Sequence, residues 1–276
     1  MRGLARSFTV RTGGWVSVPR KLARIAAAFA LTAALCAAFI YCERPADEIA
    51  THVVNRGLSN AKTVALTFDD GPHPITTALL LDTLRRHGIR ATFFVVGEKA
   101  EENPALLKRI AADGHQVACH TYSHDNLVTM NSHELENELT YWERDVDGIL
   151  GRGSRYLRPP GGDFNADTIS MVRRRGYVLA LWSVNPGDWH NPPPKTIVKT
   201  VLDKVHPGAV ILMHDDGINT VRALPAIITG LQKRGYHFAT LERLVRTNEA
   251  ISPQTAPESV VPIRLRAVSS RASSPG

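Results

Sequence analysis

From Lys62 to Leu244, short runs of strand-forming residues alternate with helices that stop at glycine. No other feature limits the fold as much. Val64–Phe68, Ala91–Val96, Gln116–Cys119, Tyr156–Leu157, Tyr177–Trp182, Ala209–Met213 and Tyr236–Ala239 read as strands. Ala91–Val96 is β-branched and aromatic, as buried strands are. Helices are predicted over Thr76–His87, from Pro104, and over Asn165–Arg175, Thr196–Val205 and Val221–Arg234, with a last turn at Leu241–Leu244. Gly88, Gly114, Gly176 and Gly235 stand where helix C-caps call for glycine. Leu135, Leu139, Trp142, Val146 and Ile149 step by 4, 3, 4 and 3, an amphipathic helix that Asn131 and Glu134 open as a capping box. About seven β/α units imply a mostly parallel sheet, barrel or open, with its chemistry at the C-terminal strand ends.

Five of those ends carry reactive side chains. Val64–Phe68 runs into Asp69-Asp70-Gly71-Pro72, and Gln116–Cys119 into His120-Thr121-Tyr122-Ser123-His124. Arg158-Pro159-Pro160-Gly161-Gly162, Asn185-Pro186-Gly187-Asp188-Trp189 and His214-Asp215 follow three later strands. Any one of these reads equally well as a solvated turn. Together they specify more. Where a strand gives way to a turn, adjacent carboxylates can both be presented, one to bind a metal and one to stay free as a base. His120 and His124 with Asp70 make a two-histidine, one-carboxylate set that leaves positions for water and substrate. Cys119 is the alternative ligand, and reads better as a small buried strand residue. Trp142, at helical spacing, is core.

The N-terminus is of another kind. Six basic residues from Arg2 to Arg24 precede an apolar run, Ile25 to Tyr41, of 17 residues. A basic flank before such a run predicts export, by a cleaved signal or an uncleaved anchor. Residues 1–44 hold seven basic residues and one acid, so they carry +6 of the chain's +7. The remaining +1 gives no argument for nucleic-acid binding. With Cys36 and Cys42 in or beside the apolar run, Cys119 has no partner inside the domain. The chain divides into a targeting segment (1–44), a linker (45–61), one domain (62–246) and a Ser/Pro/Ala-rich tail (247–276) that reads as disordered.

With these motifs in order over about 62–246, the sequence resembles the polysaccharide deacetylases, carbohydrate esterase family 4. The resemblance implies a distorted (β/α) barrel and a divalent metal, usually zinc, with cobalt, nickel or manganese as alternatives. It implies hydrolysis of N-acetyl, sometimes O-acetyl, groups on sugars; the basic and apolar N-terminus places that activity outside the cytoplasm, and a monomer is expected. Carried over by position, Asp69 is the general base, and Asp70, His120 and His124 bind the metal. Arg158 holds Asp69, and the Gly161 N–H donates to the oxyanion. Asp188 orients His214, the general acid, while Trp189 and Leu212 wall the acetyl pocket. The sequence departs from the family pattern twice. Gly161 stands where an aromatic residue is frequent, and Asn185 where an acid is.

Three functions compete. The first is deacetylation of peptidoglycan or a chitin-like N-acetylglucosamine polymer, with the membrane as a partner if residues 25–41 stay uncleaved. The second is a metal-dependent amidase acting on a small non-peptide C–N bond. The third is a catalytically silent wall-binding module, for which a base, ligands and acid together would have no use.

Overall fold

The computed structural model describes residues 52–57, 60–151 and 153–249. The N-terminal apolar run and the C-terminal tail lie outside them. Among the described residues, no helix is long and apolar enough to cross a membrane.

Among the described residues eight strands form: β1 (Val53–Val54), β2 (Thr63–Gly71), β3 (Thr92–Val95), β4 (Gln116–Cys119), β5 (Tyr156–Leu157), β6 (Val178–Ala180), β7 (Val210–His214) and β8 (His237–Phe238). Their order is β1-β6-β5-β4-β3-β2-β7, with β8 also on β2, and every pairing is parallel. Isolated bridges join Val184 to Ile211 and Arg56 to Ala209, so the segments beside β6 and β1 reach β7 and the sheet curls into a distorted barrel. Val53–Val54, which the sequence reading placed in a linker, supplies β1.

The helices are α1 (Thr76–Arg86), α2 (Gly97–Glu102), α3 (Pro104–Ala112), α4 (Ser132–Trp142), α5 (Gly148–Leu150), α6 (Ala166–Arg174), α7 (Pro194–Lys204), α8 (Ile218–Lys233) and α9 (Leu241–Glu249). The sequence reading lacked α2 and gave α9 a single turn. Its one helix across 131–149 is α4 and α5 joined by a π-wound stretch, Glu143–Asp147. Trp142 is fully buried and donates its indole N–H to Val95 O at 2.9 Å.

Side chains alternate across each strand. Val64, Leu66 and Phe68 of β2 join Ile211 and Met213 of β7 in the core shared with the outer helices. Ala65, Phe94, Ala118, Tyr156, Ala180 and Val210 face the other way and meet Leu241 and Leu244 of α9 inside the barrel. Three of these inward residues are alanines, which leaves room above them. Extending the alternation aims Thr67, Asp69, His120, Arg158, Leu212 and His214 into the same interior, towards the C-terminal mouth.

The cap of α4 has a measurable share in this. Asn131 Oδ1 accepts from His133 N at 2.9 Å and Glu134 N at 3.1 Å, and Glu134 Oε2 accepts from Asn131 N at 2.7 Å. Asn131→Ala removes the cap and should lower stability by about 1 kcal/mol. Urea denaturation should show an earlier midpoint at unchanged slope; a parental midpoint would show that the box contributes nothing net.

Candidate active site

β2 does not end at Phe68. It continues to Gly71, and its register against β3 shifts between Phe68 and Gly71. In a regular strand Asp69 and Asp70 would face opposite sides. Asp70 instead has φ 71°, an unusual value for a residue with a side chain. The irregularity lets both carboxylates reach one site. Lys99 Nζ donates to Asp70 O at 2.8 Å, and Val96 N to Gly71 O at 2.9 Å.

Asp70 Oδ1 lies 3.2 Å from His120 Nε2 and 2.9 Å from His124 Nε2. One ligand atom from each of the three lies within 4.8 Å of the others. His120 is buried, Asp70 half-buried and His124 exposed, so the cluster opens to solvent on the His124 side.

The cluster fits a cation. His120 Nδ1 lies 2.7 Å from Arg158 O, and since a carbonyl only accepts, Nδ1 carries the hydrogen. In the neutral imidazole, the form that binds a metal, the lone pair of Nε2 then faces Asp70 Oδ1, which is itself buried without a hydrogen-bond donor. Lone pairs converging at that distance repel unless positive charge sits among them. An orienting carbonyl behind a ligating imidazole is the usual outer support of a metal site.

Asp69 is buried beside the cluster, its Oδ2 3.9 Å from His120 Nε2. Its Oδ1 accepts from Arg158 Nη1 at 2.6 Å. Arg158 is itself fully buried and also donates to Thr67 Oγ1, Ala180 O and Leu181 O. On the neighbouring strand β7, His214 Nδ1 lies 2.9 Å from Asp188 Oδ1, and His214 N donates to Asp188 Oδ2 at 2.8 Å. Burial alone would lower the imidazole's pKa, but the Asp188 hydrogen bond and charge push it up to about 9. In the β2–β7 register His214 stands opposite Asp69.

The remaining sequence candidates are spread around these. Gly161 sits in the turn after β5 at φ 67°, with Asp163 Oδ2 3.7 Å from where a side chain would start. Asn185 Oδ1 accepts from Gly187 N at 2.8 Å, which shapes the turn before Asp188. Leu212 is buried on β7, while Trp189 is 60% exposed and stacks on His190. A cavity of about 1530 Å³ is lined by none of them. It opens at the opposite mouth, where β4, β5, β6 and β8 begin.

Four supporting residues escaped the sequence reading: Thr67, Lys99, Thr220 and Glu138. Thr220 Oγ1 donates to Asp188 Oδ2 at 2.7 Å. Glu138 accepts from Tyr122 N, Ser123 N and Ser123 Oγ at 2.7–2.9 Å, and so holds the loop between the two histidines. Glu138 had a signal in the sequence, being an acid on the apolar face with Leu135 and Trp142.

A family model described as polysaccharide deacetylase matches residues 56–180. The peptidoglycan-N-acetylglucosamine deacetylase of Bacillus cereus is 37% identical over 197 residues, which cover 70% of this chain and 72% of that protein. The chitooligosaccharide deacetylase of a Bradyrhizobium species is 36% identical over 202 residues, 68% of this chain and 92% of its own. The crystal structure of a peptidoglycan N-acetylglucosamine deacetylase with a naphthyl N-hydroxybenzamide superposes with a TM-score of 0.69 at 37% identity, covering 71% of this chain and 93% of that one. By sequence and by fold, the chain belongs to the polysaccharide deacetylase family.

Proposed function

We propose that this chain hydrolyses N-acetyl groups on an extracytoplasmic polysaccharide, peptidoglycan or a chitin-like N-acetylglucosamine polymer, at a divalent cation held by Asp70, His120 and His124. One observation carries the reading. A three-residue cluster, Asp70, His120 and His124, lies beside a carboxylate held by a buried arginine, and that carboxylate stands in register with an imidazole charged by a buried carboxylate. The relatives are named for both polymers. Two nitrogens and one oxygen suit zinc, and admit cobalt, nickel or manganese.

When bound, the cation supplies Lewis acidity for the acetyl carbonyl and its attacking water. Asp69 takes the proton from that water through Oδ2, while Arg158 fixes Oδ1. The Gly161 N–H donates to the oxygen that becomes anionic as the water adds. His214, charged through its Nδ1 contact with Asp188, gives its Nε2 proton to the nitrogen as the C–N bond breaks, and acetate and a free amine leave. Trp189 and Leu212 bound the space for the acetyl methyl. The apolar run 25–41 holds the domain at the outer membrane surface or is removed on export.

Acetate release from peptidoglycan and chitin fragments, set against ammonia release from small amides, tests the substrate class. Acetate from neither polymer, with ammonia from an amide, would favour the amidase. No product from any substrate would favour the silent binding module.

Three protein ligands leave no redundancy at the metal. His120→Ala should therefore lose bound metal and activity together, read by elemental analysis of the purified protein. Unchanged metal content would remove His120 from the ligand set.

The pH dependence follows from His214. It must be protonated to act, so activity falls as pH rises through its raised pKa of about 9. Asp188→Asn removes the charge that raises it, and the alkaline limb of kcat/KM on an N-acetylated oligosaccharide should move to lower pH. A limb that stays in place would mean that another group sets it.

A further inference from the structure

Asp215 follows the proposed acid in sequence and has no part in the chemistry above. It is fully buried and makes no ion pair among the described residues. Oδ2 accepts one hydrogen bond, from Thr77 Oγ1 at 2.6 Å, and Oδ1 is buried without a donor. A carboxyl so poorly provided costs stability. What it touches gives the reason for it.

Asp215 touches the turn that carries Asp69 and Asp70. Its N–H donates to Asp69 O at 3.0 Å. Thr77 Oγ1, bound to its carboxyl, accepts from His73 N at 2.6 Å, just beyond Pro72. The carboxyl itself occupies the place where Gly71 would carry a side chain. A methyl on Gly71 would coincide with Asp215 Oδ2 and stand 2.5 Å from Cγ. Gly71 is not among the glycines at positive φ, so backbone freedom is not why it lacks a side chain. It makes room for the carboxyl. Asp70, the residue between these contacts, is the one at φ 71°.

We infer that Asp215 is a positioning residue for Asp70: its carboxyl, seated against Gly71 and tied through Thr77 to His73, fixes the turn that presents Asp70 to the metal. The inference rests on the metal reading above. It makes Gly71 and Asp215 a matched pair, one small because the other is there.

Zinc affinity of the full chain, measured by competition with a chromophoric chelator, tests this. Asp215→Ala should weaken zinc binding about tenfold or more, the usual worth of an outer support. Asp215→Asn keeps the shape and an acceptor for Thr77, and should stay within about threefold of the parent on the same scale. Gly71→Ala should weaken binding as Asp215→Ala does, and combining the two should add little, because the collision is then gone. Asp70→Ala is the control. If it loses zinc while Asp215→Ala and a folded Gly71→Ala bind like the parent, the positioning role is overturned and the ligand set stands. If Asp70→Ala itself binds zinc like the parent, the ligand assignment fails, and the inference with it. Should Asp215→Ala not fold, Gly71→Ala and Asp215→Asn still decide the matter.

Discussion

A guanidinium with no exposed surface must find its acceptors inside the protein. Arg158, itself just after β5, finds them on two other strands: the Ala180 and Leu181 carbonyls at the end of β6, and Thr67 Oγ1 and Asp69 Oδ1 on β2. Its charge also lies 4.0 Å from the Phe94 ring centroid and 5.6 Å from that of Trp182. Removing one partner from a buried ion pair costs about 3–5 kcal/mol, because the other charge stays behind. Whole domains have only about 5–15 kcal/mol to lose. The contact that sets the geometry of Asp69 therefore also holds the upper layer of the barrel. The carbonyl of the same residue fixes the His120 ring, so Asp69 and the Asp70, His120 and His124 cluster share one support.

Around that rigid centre the turns are strained. Asp70, Thr121 and His124 all have positive φ, at 71°, 65° and 67°. Such residues cost of order 1–3 kcal/mol each and persist only where their surroundings determine them. The surroundings here are specific. Thr121, β-branched and fully buried, gives its Oγ1 to His124 N and its carbonyl to Gly97 N. Glu138 takes the two amides between the histidines, and Lys99 takes the Asp70 carbonyl. Regular strands aim side chains at two opposite faces only. Bringing Asp70 to the site of its neighbour Asp69 needs a departure from that rule.

The alternation of strands and helices was legible because each element is local, its signal lying in periodicity and caps within about a dozen residues. The ligand cluster, Arg158, Asp188 and His214 could be named because chemically able residues fell at successive strand ends. β1 could not, because Val53–Val54 is two residues long and becomes a strand only by pairing with Leu179–Ala180. The extension of β2 through Asp69–Gly71 was hidden by its own Asp-Gly-Pro sequence, which reads as a turn. Lys99 and Thr220 carry no local mark at all. Their partners lie 29 and 32 residues away in sequence, and only the closed barrel brings them near.

Two buried carboxyls, Asp188 paired with His214 and Asp215 next to His214 in sequence, differ in their surroundings. Asp188 accepts from His214 Nδ1, His214 N and Thr220 Oγ1, so both its oxygens are provided for. Asp215 has a single donor, and burial pushes its carboxyl up to about 7 against that hydrogen bond and the charge of Lys99. Donors favour the charged form of a carboxyl and their absence the neutral form. The furnished carboxylate is thus the one turned to the imidazole, and the starved one sits under Gly71 with its burden of charge reduced. This division limits repulsion in a layer that already holds Asp69 and Asp70. The two acids thus serve different ends, Asp188 holding the imidazole and Asp215 filling the space beneath Gly71.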